Sequence, residues 1–470
     1  MENVIELLKI QAERKPNQLA IVDENRSLTY KELFDETISL ASYIFSYGLR
    51  KSPIIVKVNR SLDSIVAFFA ILLSSNYYIP VDEDIPNEKL EKIIKVSKAM
   101  FYISPKDENL TIQRILPTKE HKIDSFEAFT RLFSKENYSY LMFTSGSTGE
   151  PKGVIKNHEN IISFVNNFLK TFPFLSEERI ANQTPFFFDA SMKDIYLTLA
   201  LGATLYIPSK VRFSLPTETI KYLNENKITM IYWVPSILTM IARMRIFNWT
   251  KPETLKYVFF VGEVMNPRYL NMWIDALPNI RYFNTYGSTE IMGVCLYHEI
   301  KSHFDGDTLP TGKAIKNNNV KIINGEIVVT SKQVAVGYLN KPFEDHVFKT
   351  GDYASLDEDG NIVFSSRKDF QIKHLGYRIE LQDIEANLSH LEYIDTCVAI
   401  YDEEKDQIIL FVVLSEVVRE LSYVLLNDAK KLLQSYMIPN KVIEIEKMPL
   451  NNNGKIDRLA LKEMYKNGRN

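Results

Sequence analysis

The chain has 470 residues, of which 45% are hydrophobic and 24% are charged, and its formal net charge is −3. This length exceeds what one ordinary hydrophobic core supports, so two or more domains are expected. The nearly neutral charge balance argues against a nucleic-acid or anionic membrane partner, and two cysteines, Cys295 and Cys397, are too few for a disulfide framework or a cysteine-rich metal site.

The N-terminal segment predicts an amphipathic helix, with Ile5, Leu8 and neighbouring apolar residues on one side, and lacks the basic start of a signal peptide. The longest apolar run, residues 65–73, has about half the length that a membrane span needs. It therefore predicts a buried core helix. These features predict a cytoplasmic protein without a membrane segment.

Between residues 28 and 366, short β-rich apolar runs alternate with segments of helical length. This alternation predicts parallel strands in α/β layers. The predicted strands include residues 53–58, 77–81, 140–143, 204–207, 230–234 and 257–261.

From about residue 369 the pattern changes to that of a compact α+β unit. Strands are predicted at 370–373, 397–401, 408–414 and 442–446, and helices at 384–391 and 421–436. The charged stretch 366–369 has little to bury and marks the expected boundary. We therefore predict a large N-terminal α/β domain with stacked sheets, residues 1–366, and a small C-terminal α+β domain, residues 367–470.

The strongest motif is residues 143–153, with the sequence FTSGSTGEPKG, which leaves a predicted strand. Its glycines allow a tight backbone turn with exposed N–H groups, and its four hydroxyls and Lys152 suit a phosphate group. The glycine spacing is not that of the GxxxxGK[ST] loop. The alternative is a flexible Gly/Ser linker, but a linker does not require Pro-Lys-Gly at a strand exit.

A second motif, residues 284–290 with the sequence NTYGSTE, also follows an apolar run. It combines an aromatic ring, hydroxyls and a carboxylate around one glycine. Such groups could stack on a base, contact a phosphate and hold Mg²⁺. A tight turn with a buried tyrosine explains the same residues.

Two weaker motifs lie nearer the C-terminus. In residues 349–352, KTGD, Asp352 could accept hydrogen bonds from ribose hydroxyls, or could cap a hairpin turn. In residues 453–458, NGKIDR, Lys455 could serve a site or lie in solvent in a polar loop.

Together with residues 188–191 and 366–380, these motifs have the order and spacing of the acyl-adenylate-forming superfamily. Over nearly its whole length the chain resembles a stand-alone adenylation domain of nonribosomal peptide synthetases, or the related D-alanine–carrier protein ligases. The resemblance implies an enzyme that activates an amino acid with ATP as aminoacyl-AMP and releases pyrophosphate. It further implies transfer to the phosphopantetheine thiol of a separate carrier protein.

The resemblance also assigns the nucleotide and metal residues. It implies that the β- and γ-phosphates of ATP are bound by Thr144, Ser145, Gly146, Ser147, Thr148, Gly149 and Lys152. It places adenine and the α-phosphate among Asn284, Thr285, Tyr286 and Thr289, Mg²⁺ on Glu290, and ribose on Asp352 supported by Arg367. Lys455 would reach the substrate carboxylate and α-phosphate, and Asp369 would be the hinge of a mobile C-terminal domain.

Asp189 narrows the range of implied substrates to amino acids, because the matching aspartate of amino-acid-activating family members pairs with the α-ammonium of the substrate. The alternative is an N-cap for a helix beginning near Ser191. The implied pocket lining is Ala190, Lys193, Tyr232, Phe259, Val261, Thr285, Gly293 and Val294. Two bulky aromatic residues and one lysine suggest a small or an acidic amino acid, although Lys193 could instead pair with Asp189 or Asp194, or extend to water.

Two other functions are alternatives to amino-acid activation. An acyl-CoA or aryl-acid ligase of the same superfamily is the main alternative, and Asp189 argues against it. A non-catalytic binding scaffold would be expected to have lost Lys455, Glu290 or the phosphate loop, all of which are present. We expect a monomer; the amino acid and the natural thiol acceptor stay open.

Overall fold

The structure, a computed structural model, describes residues 1–106, 109–114, 126–144, 152–367, 371–449 and 456–468. The helices in these ranges are α1 (Ile5–Arg14), α2 (Tyr30–Ser46), α3 (Leu62–Leu73), α4 (Asn87–Ser97), α5 (Phe126–Thr130), α6 (His158–Thr171), α7 (Asp189–Leu201), α8 (Pro216–Glu225), α9 (Pro235–Arg243), α10 (Pro267–Ala276), α11 (Leu381–Leu388), α12 (Leu421–Leu432) and α13 (Arg458–Asn467). Short 3₁₀ helices occur at Lys210–Phe213, Ile246–Asn248 and Ser435–Met437.

The strands in the same ranges are β1 (Leu19–Val22), β2 (Ser27–Thr29), β3 (Pro53–Val58), β4 (Tyr77–Asp82), β5 (Phe101–Lys106), β6 (Asn109–Arg114), β7 (Tyr138–Thr144), β8 (Lys152–Asn157), β9 (Arg179–Ala181), β10 (Thr204–Tyr206), β11 (Met230–Trp233), β12 (Tyr257–Val261), β13 (Arg281–Tyr286), β14 (Leu296–Ile300), β15 (Lys313–Ala314), β16 (Asn319–Ile323), β17 (Glu326–Thr330), β18 (Gly337–Tyr338), β19 (Lys341–Pro342), β20 (Val347–Leu356), β21 (Ile362–Arg367), β22 (Gln371–His374), β23 (Tyr377–Glu380), β24 (Ile394–Asp402), β25 (Gln407–Leu414) and β26 (Lys441–Glu444).

The chain divides into two compact units. The first unit comprises residues 1–83, 94–142 and 153–368, and the second comprises residues 84–93, 143–152 and 369–470. The predicted fold class, α/β with a large N-terminal and a smaller C-terminal domain, is confirmed. The domain boundary, the mobility of the C-terminal domain and the hinge stay predictions, and Asp369 lies outside the described residues.

The first unit contains three sheets. Their strand orders are β15-β14-β13-β12-β11-β9-β10-β1-β2, β19-β18-β8-β7-β4-β3-β5-β6 and β16-β17-β20-β21. As predicted from the short β-rich runs, β3 pairs with β4, β4 with β7 and β11 with β12 in parallel. The main core contains side chains from both large sheets, so the sheets share one apolar interior.

Helix α3 confirms the core helix predicted from the apolar run 65–73. Every one of its residues except Asp63 is buried, because it is apolar on all sides and packs inside the main core. None of the helices in the described part of the chain combines the length and apolar character that a membrane span requires.

Successive residues of the central strands face different cores. Tyr232 of β11, Phe259 of β12 and Phe283 of β13 lie side by side in register and belong to the main core. Their sequence neighbours point to a second core, which helices α8, α9 and α10 cover. This period of two places one aromatic row on the face where the predicted substrate pocket lies.

In the second unit, the sheet β24-β25-β26 is covered by α11 and α12 on one face and α13 on the other. The predicted helix 421–436 is too long. It ends at Leu432 because Leu433 is extended, with φ −114° and ψ 154°, and a 3₁₀ turn follows. Arg458, at the start of α13, contacts both carboxylate oxygens of Glu385 at 2.6 and 2.7 Å, which anchors α13 to α11.

Candidate active site

The candidate site lies at the carboxyl ends of β11, β12 and β13 in the first unit. Strand register places Tyr232 beside Phe259, and Val261 beside Thr285. Residues 287–290 leave the end of β13 directly. Because ligands of α/β proteins bind at the carboxyl ends of parallel strands, this edge brings the predicted pocket and nucleotide motifs together.

The aromatic part of the predicted pocket is rigidly held. The hydroxyl of Tyr232 donates to Thr285 Oγ1 at 2.9 Å, and the Thr285 hydroxyl donates to the carbonyl of Phe260 at 2.8 Å. The ring of Phe259 stacks on Phe283, with centroids 4.5 Å apart. These side chains are buried and engaged with one another.

Asp189 is a buried carboxylate at the start of α7, with 7% of its surface exposed. One oxygen accepts a hydrogen bond from the hydroxyl of Tyr140 at 2.7 Å. Burial raises the pKa of Asp189 to about 6, while Lys156 and Tyr140 act in the opposite direction. The capping alternative is wrong, because the N-cap residue is Phe188 and no side-chain capping bond forms.

Lys193 is already satisfied by protein acceptors. Its ammonium donates to the carbonyls of Ala190 at 2.8 Å and Tyr232 at 3.1 Å, and to the carboxylate of Asp194 at 3.1 Å. Both charged side chains are 1% exposed. Of the alternatives that the sequence left open, the structure therefore selects the pair with Asp194, and Lys193 has no free donor for a substrate.

The remaining predicted wall of the pocket combines Gly293 and Val294, which follow β13, with Val261 at the end of β12 and Ala190 in α7. Val294 is buried, and its carbonyl accepts from the side-chain amide of Gln333 at 3.0 Å. Gly293 has φ +70° and lies against the ring of Phe164. Val261 is also buried, whereas Ala190 is partly exposed. The wall is thus built from small residues and backbone.

The predicted ribose group, Asp352, is held by two neighbours. Its carboxylate accepts from Arg367 Nη1 at 2.5 Å and from the hydroxyl of Tyr286. Asp352 lies opposite Arg367 within the ladder of β20 and β21. The alternative of a capped hairpin turn is wrong, because residues 349–352 lie inside β20.

The predicted metal and α-phosphate residues lie in the loop after β13. Glu290 is 1% exposed, and its carboxylate accepts from the hydroxyl of Tyr338 at 2.9 Å. Thr289 is partly exposed, and the buried hydroxyl of Ser288 has no hydrogen-bond partner among the described residues. Asn284 donates to the carbonyl of Pro310 at 2.8 Å, which leaves its side-chain oxygen available to a ligand donor.

The phosphate loop is described only at its ends, which belong to the second unit. Thr144 Oγ1 donates to the carbonyl of Lys152 at 3.4 Å, and Lys152 Nζ lies 3.1 Å from Glu380 Oε1. Predicted site residues outside the described part of the chain are Ser145, Gly146, Ser147, Thr148, Gly149, Lys455 and Asp369. Their assigned roles stay predictions.

Sequence reasoning missed three residues of this site: Tyr140, Lys156 and Tyr338. Tyr140 and Tyr338 gave no signal, because tyrosines in strands are ordinary core residues. Lys156 did give a signal, because it is a charged residue that directly follows the uncharged residues Gly, Val and Ile at 153–155. It is buried in β8.

Comparison with known proteins identifies the family. The model of the AMP-binding enzyme family matches residues 8–339. D-alanine–D-alanyl carrier protein ligase of Bacillus licheniformis is 32% identical, over 98% of this chain and 99% of the ligase. The chain belongs to the AMP-binding enzyme family. The resemblance drawn from the motifs is thereby confirmed.

Other similar proteins include parts of larger chains. Tyrocidine synthase 1 of Brevibacillus parabrevis is 30% identical over 98% of this chain, which spans 45% of the synthase. A crystal structure of the Vibrio cholerae adenylation domain AlmE with glycyl-adenosine-5'-phosphate matches with a TM-score of 0.84, over 99% of this chain and 98% of AlmE. At 19% identity, that likeness shows the fold.

Proposed function

We propose that this AMP-binding enzyme activates an amino acid with ATP as aminoacyl-AMP, releases pyrophosphate, and passes the aminoacyl group to the phosphopantetheine thiol of a separate carrier protein. The observation that carries the proposal is the buried carboxylate of Asp189. It accepts one hydrogen bond from Tyr140, and no described cation lies within ion-pair distance of it. A substrate ammonium would supply the missing charge.

Relatives support the same activity. The ligase of Bacillus licheniformis is named for D-alanine and its carrier protein. This chain carries Asp189, Glu290, Asp352 and Lys455 at the positions that the resemblance assigns to substrate, metal, ribose and reaction centre. An acyl-CoA or aryl-acid ligase would have no use for the buried carboxylate of Asp189.

The described residues fit a nucleotide with Mg²⁺. Glu290 is a buried carboxylate whose orientation is held by Tyr338, and Mg²⁺ in nucleotide sites takes one or two carboxylates plus phosphate oxygens. The unpaired hydroxyl of Ser288 in the same loop is a donor that a phosphate oxygen would satisfy. Bound to Glu290, Mg²⁺ would neutralise charge on the departing pyrophosphate.

The reaction needs charge neutralisation rather than a general base. An oxygen of the substrate carboxylate attacks the α-phosphorus, and the bond to the bridging oxygen of pyrophosphate breaks. Because nucleophile and phosphate are both anionic, fixed donors must offset their repulsion. Thr289 and Lys455 are the donors proposed for the α-phosphate, while Asp189 orients the substrate through its ammonium.

The direct test is amino-acid-dependent exchange of labelled pyrophosphate into ATP. A panel of D- and L-amino acids, aryl acids and fatty acids would be compared at one enzyme concentration. We expect exchange with an amino acid and not with the other acids. Exchange only with aryl or fatty acids would contradict amino-acid activation, and no exchange with any acid would contradict adenylation.

Lys455→Ala is expected to lower the exchange rate by about 10²- to 10³-fold, because one donor to the transition state is lost. Binding of ATP should change little, since the resemblance assigns adenine and ribose to other residues, Tyr286 and Asp352. Exchange kinetics and calorimetric titration with ATP would measure the two effects. Unchanged exchange would remove Lys455 from the mechanism.

The activity should also depend on the ionisation of Asp189. Burial raises its pKa to about 6 in the empty pocket, where it faces Tyr140, Lys156, Glu290 and Lys193. Above this pH the carboxylate is charged and can pair with an ammonium; below it the group is protonated and neutral. We expect kcat/KM for the amino acid to fall about tenfold per pH unit below pH 6, and a flat profile from pH 5 to 8 would contradict this role.

A further inference from the structure

Lys156 carries an ammonium group that is buried inside the first unit. It lies in β8 with 0% of its surface exposed, and its Nζ has no hydrogen-bond partner among the residues that the structure describes. A buried charge normally forms a pair or shifts its pKa, because its desolvation is costly. Lys156 therefore needs an explanation that the fold itself does not provide.

The other buried lysine of this site provides the contrast. Lys193 makes three hydrogen bonds and pairs with Asp194 at 3.1 Å. Its position is explained by the protein alone. Lys156 has three N–H donors and uses none of them within the described chain.

The charges that face Lys156 belong to the candidate site. Burial lowers its pKa to about 8, and the carboxylates of Asp189 and Glu290 oppose this shift. Neither carboxylate forms an ion pair with it within 4.0 Å in the described residues; Asp189 bonds to Tyr140 and Glu290 to Tyr338. Strand β8, which carries Lys156, lies next to β7 in the sheet, and β7 carries Tyr140, the hydrogen-bond partner of Asp189. A positive and a negative group thus belong to one region of the first unit without forming an ion pair.

We propose that Lys156 is a specificity-determining residue that binds the second acidic group of a dicarboxylic amino acid whose ammonium pairs with Asp189. This inference rests on the proposed amino-acid activation. Asp189 receives the ammonium, Lys156 receives the side-chain carboxylate, and the α-carboxylate stays free to attack ATP. The substrate then satisfies both unpaired charges at once.

Lys156, and not Lys193, is the residue that would bind an acidic side chain. Lys193 was a candidate because it lies four residues after Asp189 on one helix. The structure shows that its donors are used, whereas those of Lys156 are not. Tyr232 and Phe259, two of the predicted lining residues, are bulky and buried, which favours the short side chain of aspartate or glutamate over a larger anion.

The first test uses the wild-type enzyme in pyrophosphate exchange. Aspartate and glutamate, in both enantiomers, would be compared with asparagine, glutamine, alanine and glycine. We expect kcat/KM for the preferred dicarboxylic amino acid to exceed that for its amide by at least about 100-fold, since the amide leaves Lys156 unpaired. A preference for a neutral amino acid would overturn the proposal while leaving amino-acid activation intact.

The second test uses Lys156→Met, which keeps the length of the side chain and removes its charge. We expect kcat/KM for the dicarboxylic amino acid to fall by about 100-fold and that for its amide to change less than about threefold. An equal loss for both would overturn the proposal, because Lys156 would then act on the reacting carboxylate or through Asp189. Exchange with no amino acid at all would instead contradict the proposed function.

The melting temperature shows whether Lys156→Met is folded and serves as the control for this variant. Because Lys156 has no bond to lose, Lys156→Met should melt at or above the temperature of the wild-type enzyme, whereas Lys193→Met should melt lower by leaving Asp194 unpaired. The ratio of kcat/KM for the dicarboxylic amino acid to kcat/KM for its amide is measured on the wild-type enzyme. It therefore decides the proposal even where Lys156→Met yields no folded protein.

Discussion

Asp189→Asn is expected to lower kcat/KM for the amino acid in pyrophosphate exchange by about 10²- to 10³-fold. The asparagine oxygen can still accept from Tyr140, so the local bonding is kept. The negative charge opposite the substrate ammonium is lost, in a buried place where water cannot replace it. Steady-state exchange at saturating ATP would measure the effect.

Two comparisons separate this loss from a general defect. The acid that lacks the amino group should not lose activity in Asp189→Asn, because in the wild-type enzyme it leaves the carboxylate unpaired. Tyr140→Phe keeps the charge of Asp189 and removes one hydrogen bond, so a smaller loss of about tenfold is expected. Equal losses for the amino acid and its des-amino analogue would show that Asp189 does not bind the ammonium.

Gly293→Ala is expected to destabilise the fold strongly. Gly293 has φ +70°, a conformation that costs other residues about 1–2 kcal/mol. A Cβ here would also lie 2.6 Å from Cζ of Phe164 and closer still to two other ring atoms. Phe164 is fully buried and cannot move away freely, so overpacking adds about 1–3 kcal/mol.

The chain offers matched controls for Gly293→Ala. Gly48 and Gly360 have φ +73° and +71°, and a Cβ at either would meet nothing within 4 Å. Their alanine variants therefore carry the backbone cost without the overlap. Thermal unfolding at one scan rate should give a lower midpoint for Gly293→Ala than for either control; equal midpoints would show that the ring of Phe164 can shift at little cost.

Much of the fold was predictable because its signals are local. The short apolar runs became β3 and β12 with the predicted bounds, and the run 65–73 became the buried helix α3. Hydrophobic periodicity and length report burial directly, without knowledge of neighbours. The helix predicted at 421–436 was wrong at its end: Leu433 has an extended backbone, and its side chain is buried in the core of the second unit.

The candidate site was predictable as a set of residues but not as a set of contacts. The motifs named Asp189, Lys193 and Asp352 as candidate site residues. They did not show that Lys193 pairs with Asp194, or that Asp352 is held by Arg367. They also gave no reason to place Lys156 beside Asp189, since 33 residues separate them in the sequence.

The sequence by itself determined the family, the α/β class and the candidate residues for binding ATP and an acid, because motif order and apolar spacing are properties of the chain alone. Only the tertiary structure decided which charges are paired and which are left for a ligand. The physical reason is that pairing depends on distances between strands and helices far apart in sequence, and on the loss of water around them. Lys193 and Lys156 look alike in the sequence, but packing pairs Lys193 with Asp194 and gives Lys156 no hydrogen-bond partner in the part of the chain that the structure describes.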